Sequence, residues 1–282
     1  FTQGSVDTES LAAFADVSFD ITESLALSVG ARWTRDEKTG QVYRQNFTGI
    51  RSPFFGNGAA IPGLIRTNYT NSAEFEEFTP RVSLTWEPSD DLTLYTSFSQ
   101  GFKSGGFDMR GDAVFTPDTV NGYEPEFVDT YEIGFHSSLL QGRFNLSGAV
   151  FQSDYTDMQI TRQEPTTLGG IASFVDNAAA AEIRGAELEG RFHFTDNLTA
   201  NFAVGYIDGE FKEYISNTVI ANPAPPPATI VVPIDLSGSA ALQNTPDLTA
   251  SLSFTYSVDV AGGQLAFTPS AAYRGDSQMF EF

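Results

Sequence analysis

The 282-residue sequence predicts an all-β fold: an antiparallel up-and-down transmembrane β-barrel, to which this chain contributes about ten strands. Three observations carry that reading. Very short turns alternate with much longer connections. The segments flanking the turns alternate apolar and polar residues with period two, so each has one apolar and one wet face. Aromatic residues gather near segment ends, where a membrane barrel places its interfacial girdles.

The turns come first. They are Asp20–Ser24 (DITES), Pro88–Asp91 (PSDD), Leu140–Gly142 (LQG), Thr195–Asn197 (TDN) and Ala261–Gly263 (AGG). Each carries Gly, Asp, Asn, Ser or Pro, the residues that accept tight-turn geometry, and each is flanked by alternating residues, which is a hairpin signal. Leu25, Leu27, Val29, Ala31 and Trp33 share one face. Val82, Leu84 and Trp86 oppose Arg81, Ser83, Thr85 and Glu87; Leu92, Leu94, Thr96 and Phe98 oppose Thr93, Tyr95, Ser97 and Ser99. The clearest alternation sets Leu248, Ala250, Leu252, Phe254 and Tyr256 against Thr249, Ser251, Ser253, Thr255 and Ser257. Near Phe14 and Phe151 it is less clean.

The connections read as long loops over Lys38–Ala73, Ser104–Pro125, Glu164–Ser173 and Tyr214–Ala241, the last holding Asn222–Pro227 (NPAPPP), which is excluded from a central strand. Such loops count against a compact soluble domain but suit the outer side of a membrane barrel. Strands at 126–138, 143–160 and 176–194 exceed the usual soluble length and are long enough to cross a bilayer while tilted. The aromatics Phe19, Trp33, Trp86, Tyr95, Tyr131, Phe192, Phe194, Tyr256 and Tyr273 sit near strand ends.

Composition excludes several functions. The net charge of −21 offers no basic surface to neutralise phosphates, so nucleic acid is not an expected partner. No cysteine is present, which removes disulfides, thiolate nucleophiles and cysteine zinc sites. No apolar run is long enough for a transmembrane helix. The chain starts at Phe1 in loop-like sequence with neither a signal peptide nor an initiator Met, as expected of a processed chain or a piece of one.

Leu94–Phe107 (LYTSFSQGFKSGGF) and Glu124–Ile160 (EPEFVDTYEIGFHSSLLQGRFNLSGAVFQSDYTDMQI) resemble the β-barrel of TonB-dependent receptors. Val175–Phe192 (VDNAAAAEIRGAELEGRF) and Ala272–Phe282 (AYRGDSQMFEF) are similar to later strands of that family. The resemblance implies a barrel of about 22 strands in the outer membrane, plugged by an N-terminal domain. It implies import of scarce nutrients with energy from the TonB complex, and cargo among iron chelates, cobalamin, haem and oligosaccharides. The expected surroundings are outer-membrane lipid, a small-molecule chelate such as an iron–siderophore complex, and TonB reached through the plug. Residues 1–282 read as a partial barrel domain, with plug and closing strands absent. If the short turns are periplasmic, the first strand, about Glu9–Phe19, runs inward and the last, about Gln264–Phe280, runs outward, so both ends lie outside the cell.

No catalytic constellation is expected. His136 and His193 lie on different strands in alternating positions, and no Gly-x-Ser-x-Gly is present. Glu132, His136, Glu187, Glu189 and Arg191 read as lumen-facing polar residues, with Glu187 and Glu189 as a hydrated acidic patch rather than a catalytic pair. Asp154, Asp157, Glu164, Asp108, Asp112 and Asp118 lack an EF-hand pattern and read as solvated loop carboxylates, so neither a metal nor a cofactor is expected. Ligand contact is expected from cations, amides and aromatics at the mouth: Phe102, Lys103, Arg110, Gln159 and Arg162. The alternatives are a secreted or surface all-β binding or adhesion module, and a porin-like passive channel.

Overall fold

The computed structural model describes residues 1–48, 61–165, 171–224 and 229–279. They form one antiparallel sheet: β1 (Thr2–Thr22), β2 (Leu25–Thr48), β3 (Ile61–Ser89), β4 (Leu92–Lys103), β5 (Glu126–Leu139), β6 (Phe144–Pro165), β7 (Ile171–Thr195), β8 (Leu198–Ala221), β9 (Thr229–Asp235), β10 (Leu248–Val260), β11 (Gly263–Phe267) and β12 (Ser270–Arg274). From β1 to β8 each strand pairs with its sequence neighbour, as in a series of hairpins. β9 pairs only with the upper end of β8, while β10 pairs with its lower part. β11 and β12 pair with β10 in one continuous register and form a single wall strand, interrupted at Pro269, which has no amide hydrogen for the ladder. The wall therefore has the strand count read from the sequence, with β9 as an addition.

All five short turns are present. Two of them need left-handed backbone: Leu140, Gln141 and Gly142 have φ of 55, 60 and 83°, and Ala261 and Gly262 have 51 and 83°. The long connections are a correction. β2 and β3 continue as a paired ribbon through most of Lys38–Ala73, from Lys38↔Ala73 to Thr48↔Ile61. Antiparallel pairing satisfies the backbone whatever the side chains, and Pro62 lies beyond the register shift at Gln45/Phe47. Likewise β6 runs to Pro165, β7 begins at Ile171 and β8 reaches Ala221. The segments 49–60, 166–170 and 225–228, the last holding part of the NPAPPP run, lie outside the described residues, as do 280–282. Among the described residues of the four loops, only Ser104–Pro125 is irregular over nearly its whole length. The chain start is also a correction: β1 begins at Thr2, not Glu9.

Register fixes the two faces. One row of paired residues runs Phe19, Leu27, Leu84, Thr96, Ile133, Val150, Ala186, Tyr206 and Leu248. The next row, one residue away and so on the opposite face, runs Asp20, Ala26, Thr85, Tyr95, Gly134, Ala149, Glu187, Gly205 and Thr249. The apolar face stays uncovered: Ile133 is 62% exposed, Val29 47% and Leu252 43%. An uncovered apolar band across the whole sheet is far larger than a soluble monomer presents, and lipid is the solvent that removes its cost. Above the band the same face turns ionic. Arg35 meets Glu74 at 2.6 Å, and Glu182 is held by Arg184 at 2.7 Å and Lys212 at 3.1 Å.

Candidate functional site

The polar face carries Glu132, His136, Glu187, Glu189 and Arg191, with His193 below them. Glu132, His136, Arg191 and His193 bond to side chains on neighbouring strands. The Tyr95 hydroxyl donates to Glu132 at 2.7 Å, and its ring stacks on His136 at 5.4 Å. His136 Nδ1 and the directly paired Ser147 Oγ are 3.0 Å apart. Arg191 Nε donates to Asn201 Oδ1 at 2.8 Å, and His193 Nδ1 meets Thr199 Oγ1 at 2.9 Å. Alternation places all of these groups on one side, and cross-strand pairing sets their partners. The result is a polar wall of mixed charge.

At the upper end of this face, residues 104–125 fold back as a lobe. Two hydrogen bonds between Gly106 and Tyr123, of 2.9 and 2.8 Å, close its neck. A 3-10 turn at Pro117–Asn121 forms its far side, with Thr119 Oγ1 donating to the Thr116 carbonyl at 2.7 Å. Its centre is Asp112, 2% exposed. Arg66 grips that carboxylate with both Nε, at 3.0 Å, and Nη2, and Arg44 stands 3.6 Å away. The Thr67 hydroxyl donates to the Gly111 carbonyl and accepts from the Ala113 amide, both at 3.1 Å. Asn71 Nδ2 reaches the Val120 carbonyl at 2.9 Å, and Lys38 Nζ the Gly105 carbonyl at 2.5 Å. Burial lowers the pKa of Lys38, against the opposing pull of Asp36. Phe107 packs over Gly40, where a β-carbon would fall 2.6 Å from the ring.

The lobe also reaches β6 and β7. The Val175 amide donates to Asp108 at 2.7 Å, and Arg110 donates to Asp108 at 2.9 Å and Thr161 at 3.3 Å. Simultaneous bonds to β2–β3 and to β6–β7 require a sheet concave toward its polar face.

The ligand candidates read from the sequence sit as follows. Gln159 holds the neck: its Nε2 donates to the carbonyls of Lys103, Ser104 and Glu124 at 3.2, 3.1 and 3.0 Å. Arg110 is paired with Asp108 and half exposed. Arg162 is largely buried between Glu164, at 2.9 Å, and Asp176, over the Phe174 ring. Lys103 is exposed, 3.6 Å from Glu126. Phe102 pairs with Phe127 on the apolar face, in line with Phe98 and Tyr131. The lobe thus gathers Arg110 and Gln159, while Phe102 faces away from it. The carboxylates read as solvated are a correction: Asp112 is buried in an ion pair, and Asp108 accepts a backbone amide. Missed altogether were Arg66, Thr67 and Asn177; the amide of Asn177 donates to the Glu124 carbonyl at 2.9 Å and its oxygen accepts from the Glu124 amide at 2.7 Å. The available signal was the glycine pair Gly105–Gly106, which leaves room for Phe75 and Tyr123.

A family model described as TonB dependent receptor-like, beta-barrel, matches residues 1–281. The chain is 25% identical over 207 residues to the probable TonB-dependent siderophore receptor PiuA of Acinetobacter baumannii, covering 73% of this chain and 24% of that protein. It is 28% identical over 133 residues to the metal-pseudopaline receptor CntO of Pseudomonas aeruginosa, covering 47% of this chain and 17% of that protein. The chain therefore spans a quarter or less of these relatives. Among solved structures, the ferric yersiniabactin uptake receptor FyuA from Yersinia pestis superposes with a TM-score of 0.68 at 19% identity, covering 97% of this chain and 35% of that one. PiuA superposes with a TM-score of 0.65 at 20% identity, covering 95% and 33%. A sheet apolar on one face and polar on the other, matched along nearly its whole length, makes this chain a member of the TonB-dependent receptor-like β-barrel family of the outer membrane.

Proposed function

We propose that this chain is wall and mouth of an outer-membrane receptor that takes up a metal chelate of the iron–siderophore class, driven by the TonB complex. One observation carries the reading: a row that is apolar but for Thr96 lies beside a row of polar and small residues across nine neighbouring wall strands, giving a lipid-facing wall with a hydrated inner lining. The named relatives, a siderophore receptor and a metal-pseudopaline receptor, support the class of cargo. In this reading Lys103 and Arg110, both exposed, are the cations available to an anionic chelate at the mouth.

The test uses the full-length receptor in its host under iron limitation. Uptake of radiolabelled iron is measured with a panel of hydroxamate, catecholate and phenolate chelates, with and without the receptor gene and with and without TonB. Uptake of at least one chelate should require both. Uptake that needs the receptor but not TonB would assign a passive channel instead, and uptake unchanged by deleting the receptor would overturn the reading.

A further inference from the structure

We infer that the 104–125 lobe is a fixed constriction of the mouth rather than a moving lid, and that Asp112 is the positioning residue that holds it there. The inference rests on the uptake reading only in treating the polar face as a passage.

A lid needs a lightly bonded segment about which it swings. This lobe is most heavily bonded where a hinge would have to be. Its neck is closed by the paired Gly106 and Tyr123 backbones and gripped from the side by the Gln159 and Asn177 amides. Its two flanks are tied to different strands. On one side Asp112 joins Arg66 and Arg44, and Thr67 joins Gly111 and Ala113. On the other side Asp108 takes the Val175 amide and Arg110 reaches Thr161. The lobe therefore bridges β2–β3 to β6–β7 across the concave face, as a strut does. Swinging it out would strip Asp112 of its arginines and uncover Phe107, which is 5% exposed. The parts of the lobe left open are elsewhere, at Met109 and Val114, 44% and 48% exposed. A strut of this kind sets the width of the mouth before cargo arrives, and places any gating motion outside the lobe.

This chain contributes no cysteine, and any cysteine elsewhere in the full-length receptor is first replaced by serine, so that each introduced thiol is the single reporter. Thr67→Cys beneath the lobe and Val114→Cys on its surface are placed in the full-length receptor and exposed to a membrane-impermeant maleimide on intact cells, with and without each ferric chelate of the uptake panel. Folding of each variant is checked by heat-modifiable gel mobility. The expected result is rapid labelling at Val114→Cys and labelling at Thr67→Cys slower by about tenfold or more, with or without chelate. Adding Asp112→Ala should abolish that protection, whereas Asp112→Asn, which keeps an acceptor for Arg66, should lose only part of it. Equal labelling at the two sites, protection lost when chelate is added, or protection indifferent to Asp112→Ala would each overturn the inference.

A second arm joins Thr67→Cys to Ala113→Cys, whose parent residues are linked by a 3.1 Å hydrogen bond. A fixed lobe transports equally well oxidised and reduced; loss of uptake on oxidation, restored by a reductant, would show that the lobe must open. If the unmodified receptor takes up none of the chelates, the proposed cargo fails, while the labelling result still decides whether the lobe is fixed.

Discussion

Tyr95 on β4 lies across Gly134 on β5, where a β-carbon would stand 2.5 Å from its Cζ. The absence of a side chain lets the ring lie flat, reach Glu132 and stack on His136. Gly134→Ala should lift the ring and break the hydrogen bond. The expected cost is about 1–3 kcal/mol, read as a lower urea midpoint for the full-length receptor refolded in lipid vesicles; an unchanged midpoint would refute the account. The same device explains why the alternation blurs near Phe151. That ring stands on the polar face over Gly185 of β7, so an aromatic occupies a wet position because its neighbour on the next strand is small. A single strand does not reveal this, since the glycine comes from another strand. Asp112 was hidden for the same reason: its partner Arg66 lies 46 residues away, so the carboxylate reads as an ordinary polar loop residue.

At the scale of the element, β2 contains both a legible and an illegible half. Leu25 to Trp33 alternates cleanly because lipid contacts one side and water the other. Beyond Lys38 no such contrast remains, since neither side of the ribbon faces lipid, and Gly, Asn and Pro then read as loop although the backbone stays paired. Hydrophobic period therefore reports the part of a strand inside the membrane and misses the part above it. β9 escaped for a similar reason, as its apolar residues lie beside a proline run. The membrane half can be tested directly. Val29 pairs with Val17 and Val82 in the apolar band, so Val29→Arg should cost about 2–4 kcal/mol of folding into vesicles. Ser28→Arg, one residue along and on the polar face, should cost much less. Equal penalties in denaturant titrations of the full-length variants would contradict the assignment of faces.

For the whole molecule, the five short turns and the two alternating faces read as hairpins in series, and strand length with the aromatics near strand ends placed them in a membrane barrel, because all of these follow from local chemistry. The curvature was not legible, since it shows only in the lobe's simultaneous bonds to β2–β3 and β6–β7. A wall of this construction should resist detergent at room temperature and yield on heating, because the ladder bonds within the membrane are sheltered on one side by lipid or detergent. Unboiled full-length receptor should therefore migrate differently from boiled receptor on a denaturing gel; identical mobility would argue against a closed barrel. The length of β3 has a consequence of another kind. Its 29 residues, at about 3.3 Å each and tilted by about 40°, rise roughly 70 Å, whereas the apolar band of such barrels is about 25 Å tall. Most of that rise stands clear of the lipid as a polar collar. Anything too large to pass between the strands would therefore be stopped at this collar well before it reached the membrane.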